Sequence, residues 1–168
     1  ADEFIATTLP LSGIYTIGGT SPDYATFSLA AVDLNNRGVS GAVTFNVRSG
    51  GYTEHFELFD VPGASATNTI TFQSESGDST SVVLSYNATT TVDNYVIKLT
   101  SADYVTFKSL TIAGSNSSYC DIIVLSGNVS HLKILNNIIS ISANSSGSGI
   151  YSYQNILNDI VISNNKII

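Results

Sequence analysis

Residues able to do chemistry are sparse in this 168-residue chain. Cys120 is its single cysteine, so no disulfide forms within the chain. As a nucleophile it would need an imidazole beside it to take its proton, and the chain offers only His55 and His131. His131 follows the turn-forming run Ser126-Gly127-Asn128 and reads as a surface or strand-edge residue, while Cys120 reads as a small buried hydrophobe. Glycoside hydrolysis needs two facing carboxylates. Asp121 and Asp159 are 38 positions apart, a spacing unsuited to bringing them side by side. No D-x-D-x-D-G loop is present, so no metal ligand set, and no cofactor, is expected. Three tyrosines are candidate ligand-binding residues: Tyr151 and Tyr153, two apart on one face of a strand, and Tyr119. An exposed stripe of such rings would suit a polysaccharide, although tyrosines also pack at strand edges and in loops. Candidate glycosylation positions are the sequons at Asn87, Asn116, Asn128 and Asn144, and Ser79 in Asp78-Ser79-Thr80. In a chain so rich in Asn, Ser and Thr, sequons also arise by chance.

The scaffold that must position these residues is legible in the composition. Hydrophobic residues make up 43% and charged residues 11%, against roughly 25% charged in an average globular chain. The Ile, Val, Tyr and Phe content excludes a disordered tail, and the residues typical of helical bundles do not dominate. No apolar run approaches the roughly 18 residues of a membrane-spanning helix. The net charge is -7 and no stretch clusters Lys or Arg, which excludes a nucleic-acid or anionic-lipid footprint. The chain starts Ala1-Asp2-Glu3 and has no Met. Cleavage of a secretory signal peptide is the expectation, with a secreted or cell-surface location. Residues 1–12 read as an N-terminal extension. The apolar end Lys166-Ile167-Ile168 suggests an architecture truncated or continued there.

Residues 13–18 read as a strand. Residues 24–36 carry the one helical pattern, with Asp23 as N-cap, Phe27, Ala30, Ala31 and Leu34 on one face, and Gly38 just past the end. The period then switches to two, as in Val43, Phe45 and Val47. The segments starting at Tyr104, His131 and Asp159 repeat at intervals of 27 and 28 residues. They align Val105 with Leu132 and Ile160, Phe107 with Ile134 and Ile162, and Ile112 with Ile139 and Ile167. Val43 and Phe45 match Ile70 and Phe72 at the same interval. The step from Ile70 to Val105 is 35, and residues 87–93 look like the place for the extra length. Asn136 matches Asn164 and Asn137 matches Asn165, as a structural ladder or as sharp corners. The fold class is therefore all-β: a right-handed parallel β-helix of about 27 residues per coil, with an N-terminal amphipathic capping helix near 24–36. It forms one domain over 13–168, with the cap at 13–38 and the coils at 42–168.

These residues resemble the pectin-lyase-like superfamily, pectin methylesterases above all. The likeness runs through Tyr15-Thr16-Ile17-Gly18, Asp23-Tyr24-Ala25-Thr26-Phe27, Val43-Thr44-Phe45-Asn46-Val47, Gly51-Tyr52-Thr53-Glu54, Ile70-Thr71-Phe72 and 102–112. The wording at 18–24 and 71–77 is also similar to secreted surface proteins of Bacteroidota. The resemblance implies the β-helix but does not carry over the catalytic residues. Where the esterases place a Gln and then an Asp on each of two coils, this chain has 120–125, 139–144 and 160–165, with no Gln and no second carboxylate. Its two arginines, Arg37 and Arg48, lie near the cap.

The function expected from the sequence is a non-catalytic secreted or cell-surface module with a structural or adhesive role. Its partners would be further copies, through open coil ends, or the rest of a longer chain. No nucleic acid and no membrane insertion are expected. A polysaccharide-binding module is the alternative, and a carbohydrate esterase or lyase is disfavoured by the missing residues.

Overall fold

The computed structural model describes residues 9–142, 146–152 and 157–168. In chain order the first elements are β1 (Leu11–Ile17), α1 (Phe27–Arg37), β2 (Val39–Val47), β3 (Gly50–Thr53), β4 (Phe56–Leu58), β5 (Ile70–Ser74) and β6 (Val82–Tyr86). Next come β7 (Ile97–Thr100), β8 (Val105–Lys108), β9 (Thr111–Gly114), β10 (Ile123–Ser126), β11 (Val129–Ser130) and β12 (Lys133–Leu135). The last are β13 (Ile138–Ser140), β14 (Ile150–Ser152), β15 (Leu157–Asn158), β16 (Val161–Ser163) and β17 (Lys166–Ile167).

Every strand pair is parallel, and strands one coil apart in sequence are neighbours in space. The largest sheet has the order β1-β2-β5-β8-β12-β16. A second runs β3-β6-β9-β13-β17 and a third β4-β7-β10-β14, with the short pair β11-β15 beside them. The chain is a parallel β-solenoid. Its short strands alternate apolar and polar residues, and the apolar ones turn inward because only neighbouring coils can cover them. One inward column runs Tyr15, Phe45, Phe72, Phe107, Ile134 and Ile162 across the first sheet. Its rings stack, with centroids 4.6 Å apart for Phe45 and Phe72 and 5.6 Å apart for Phe72 and Phe107. A second column runs Tyr52, Leu84, Ile112, Ile139 and Ile167. The pairings of Phe107 with Ile134, Ile134 with Ile162, and Ile112 with Ile139 are those of the sequence repeat.

The helix starts later than the sequence pattern suggests. Thr26, not Asp23, caps it, its side chain accepting from the Leu29 N–H. Asp23 instead accepts from the Thr16 N–H and hydroxyl and so ties the linker to β1. Phe27, Ala30, Ala31 and Leu34 are buried as expected. Glu54 reaches over from the first coil and accepts from the N–H groups of Phe27 and Ser28, so a carboxylate holds the positive end of the helix. Gly38 ends it at φ 67, where a side chain would collide with the Pro62 carbonyl. The first strand begins at Leu11 rather than 13, because Leu11 already pairs with Val39.

The extra length of the 35-residue step is placed differently from expectation. Phe72 and Leu84 stand twelve positions apart, while their partners Phe107 and Ile112 stand five apart. Most of the insertion is therefore the turn at 75–81, not 87–93. That turn is closed by hydroxyls of Ser74, Ser76 and Ser81 and by Asp78. Two corners repeat from coil to coil with left-handed backbone: Ser109, Asn136 and Asn164 at φ 55, 56 and 56, and Tyr104, His131 and Asp159 at φ 58, 53 and 52.

Replacing Phe72 by Ala should cost about 3–5 kcal/mol, because the ring is covered on both sides. In dilute protein, Ile167→Ala in the last coil should cost less than about 1 kcal/mol, because its side chain is mostly exposed there. Urea denaturation of both variants checks this, and equal losses would contradict a core built by stacking.

Candidate functional site

Most acidic side chains among the described residues are taken up in holding the backbone. Asp93 accepts from Thr90 and from the Tyr86 hydroxyl. Asp103 accepts from the Ser130 N–H one coil on, at 2.6 Å. Asp121 accepts from the Asn94 amide at 2.8 Å and the Ser148 N–H at 2.9 Å, bracing three successive coils. Glu57 accepts from Thr100 and pairs with Lys98 at 3.1 Å. Such bonds favour the ionised form. Backbone and side-chain bonds from Thr16 lower the Asp23 carboxyl, the Thr80 bonds lower Asp78, and bonds led by the Thr90 hydroxyl lower Asp93. Its own hydrogen bond to Asp93 raises the Tyr86 hydroxyl, while burial, followed by the bond to Asp33, raises Tyr24. No group of three metal-ligating side chains occurs among the described residues.

The expected site residues fall into different places. Asn137 is buried: its Oδ1 accepts from Leu110 N–H, and its Nδ2 donates to the Phe107 carbonyl and to Asn165 Oδ1. Asn165 accepts from the Asn137 N–H and donates to the Ile134 carbonyl at 2.7 Å. Each Asn thus closes the corner of the coil before it. Asn136 and Asn164 hold the left-handed corner residue itself, a conformation that Asn tolerates. Tyr151 lies on the outer face of β14, in register with Val124, and lines a shallow cleft with Tyr95, Lys98 and Val92. Tyr119 is not among its lining residues; it follows the Asn116 turn, where Asn116 Oδ1 accepts from the Ser118 and Tyr119 N–H groups. Tyr153 and Asn144 lie outside the described residues. Asn87 and Asn128 are exposed, and Ser79 is half-buried, its carbonyl bonded by the Thr111 hydroxyl. Cys120 is buried, with the Ser142 N–H on its sulfur at 3.3 Å. His55 is sandwiched between Tyr86 and Tyr95.

Two features were not singled out by residue type. One is a cleft of about 170 Å³ lined by Ala66, Thr69, Tyr104, Thr106, His131, Lys133 and Asp159. Its signal was the repeat alignment itself, in which Tyr104, His131 and Asp159 head successive segments. The other is the last coil. Ile162 and Ile167 are 51% and 62% exposed, while Ile134 and Ile139, one coil earlier in the same columns, are 0% exposed. The strands β16 and β17 each pair on one side only. Lys166 and Ile168 donate to Asn137 and Ile139 of the previous coil; strand alternation aims the Ile167 N–H at the free edge.

No helix among the described residues is long and apolar enough to cross a membrane. Compared with family models, with curated proteins and with solved structures, the chain has no match in any of the three.

The lowered carboxyls set a pH dependence. Their contribution is complete above the ordinary Asp value, about 3.9, and is lost as pH falls through their lower folded values. The melting temperature should therefore drop between about pH 5 and pH 2, and Asp93→Asn should flatten that drop. An unchanged slope in the variant would show that Asp93 is not a brace of the native state.

Proposed function

We propose that the chain is a non-catalytic secreted or cell-surface structural module, which pairs with a second copy through its last coil. The observation that carries this reading is the exposure of Ile162 and Ile167 at positions that are core from Phe45 and Tyr52 onward. An apolar coil end with unpaired strand edges takes another strand layer. At the opposite end α1 lays its apolar face over the first coil and Leu11 and Ile17 are fully buried, while Ile14, Leu29 and Val32 are exposed on β1 and α1. A second copy that meets it last coil to last coil makes an isologous contact, which closes at two; in a longer chain a further coil takes the same place. A module of this kind suits a surface or adhesive assembly. The acidic residues support the non-catalytic reading, since most of them are spent on backbone braces. The coil is read as right-handed with about 27 residues per turn, and the chain as a relative of the pectin-lyase-like superfamily and of Bacteroidota surface proteins, on the residues quoted for those likenesses. The small number of charges and the lone buried cysteine suit life outside the cell.

Light scattering on a sizing column tests the pairing. The expected mass is twice the 17.7 kDa of one chain, falling to one chain in Ile162→Lys. A monomer at about 100 μM, a hundredfold above a micromolar Kd, would overturn it. Filaments would overturn it too, since they need the capped end.

A further inference from the structure

We propose that the free edge of β3, at the capped end of the second sheet, takes one added strand from a partner protein: an extended segment with small inward side chains and basic flanks. β1 gives the first sheet a strand beyond β2, whereas the second sheet starts at β3. Gly50 and Glu54 donate to the Ser81 and Ser85 carbonyls on the β6 side. Strand alternation therefore turns the N–H and C=O groups of Gly51 and Thr53 to the open side. None of these four groups has a hydrogen-bond partner among the described residues, and both residues are exposed.

The neighbouring edges at this end are treated differently. Beside β4, Asn35 Nδ2 donates to the Glu57 carbonyl and Asn35 Oδ1 accepts from the Phe59 N–H, so a helix side chain stands in for a strand. At the end of β1 the linker does so: the Thr16 carbonyl accepts from the Tyr24 N–H, and the Gly18 N–H donates to the Tyr24 carbonyl. Beside β3 there is instead an open groove of about 370 Å³, walled by Gly18, Gly19, Ala25 and Thr26. An edge of backbone donors and acceptors with room beside it recognises another backbone, the way a strand is added to a sheet. Parallel pairing continues the pattern of β3 with β6.

The surroundings set the chemistry of that strand. The space beneath Tyr52 is already filled. Phe27 meets its ring edge-on with centroids 5.2 Å apart, and a Cβ on Gly18 would collide with the same ring. Inward positions of the incoming strand are therefore Gly, Ala or Ser. Glu54 is the charged side chain among those lining the groove, and the chain carries net charge -7, so basic flanks are attracted and acidic ones repelled. The segment leading into β1 meets the fold at the far end of that strand, where Arg37 Nε donates to the Leu9 carbonyl at 2.8 Å. That is roughly 20 Å along β1 from the groove, which leaves the edge to a partner.

The test is amide hydrogen exchange of Gly51 and Thr53, read by NMR on the full chain, which reads out in a monomer or a dimer alike. The probe is an end-blocked peptide, Lys-Thr-Ala-Thr-Ala-Thr-Lys. At saturation it should slow exchange of both amides at least about tenfold. The same peptide with Glu in place of both Lys should bind about tenfold more weakly. A version with both alanines N-methylated lacks the N–H groups that reach the Gly51 and Thr53 carbonyls, and it should not bind. Ala25→Trp, an exposed change that fills the groove and leaves β3 intact, should abolish the protection. The proposal is overturned if the basic peptide leaves both amides unprotected at about 10 mM, tenfold above a millimolar Kd. It is overturned equally if the acidic or the N-methylated peptide protects them as well, or if Ala25→Trp keeps full affinity.

Discussion

Stacking of inward side chains on their counterparts one coil away is the interaction on which the rest of this molecule depends. A single coil buries almost nothing by itself. Phe72 is fully buried because Phe45 lies on one side and Phe107 on the other. Each such side chain contributes about 1.5–3 kcal/mol when covered, and the strand hydrogen bonds follow the same vertical register. Stability is therefore a property of neighbours, added coil by coil. It also makes the two ends inequivalent. The first coil is closed by a helix that repeats no part of the coil pattern, while the last coil keeps its Ile side chains and strand edges open.

The corners and turns carry the cost of this regularity. A short strand must bend sharply every few residues, and buried polar groups at the bends need partners. Asn137 and Asn165 supply them from the side chain, each closing the corner of the preceding coil. The carboxylates of Asp103 and Asp121 do similar work between coils. These commitments take up most of the acidic side chains among the described residues.

Much of the architecture was legible because it is periodic. The 27-residue spacing of Val43, Phe45, Ile70 and Phe72 is directly the pairing of β2 with β5, and the apolar face of α1 is the one the helical period gives. Where the reading missed, a local rule lost to a distant contact. Asp23 is a good helix cap by type, but bonding to Thr16 holds it back on β1, and Thr26 and Glu54 take over the helix end. The insertion was assigned to 87–93 because that run has loop composition. The Ser-rich turn at 75–81 hides between two alternating strands, and only the register of Leu84 with Ile112 reveals it. Residue type singled out Tyr119 and Tyr151, yet the cleft at Tyr151 does not include Tyr119. The Tyr104, His131 and Asp159 column was present in the alignment, but a column becomes a cleft only when a small residue, Thr69, stands at its head.

The most direct test of the stacking account is amide hydrogen exchange, resolved by residue and repeated across protein concentration. At high dilution the amides of Ile162 and Ile167 should exchange far faster than those of Ile134 and Ile139. As concentration rises and the open coil is covered, their protection should rise while that of the middle coils stays unchanged. Protection of the last coil equal to that of the middle coils at every dilution would contradict a core in which each coil depends on the next.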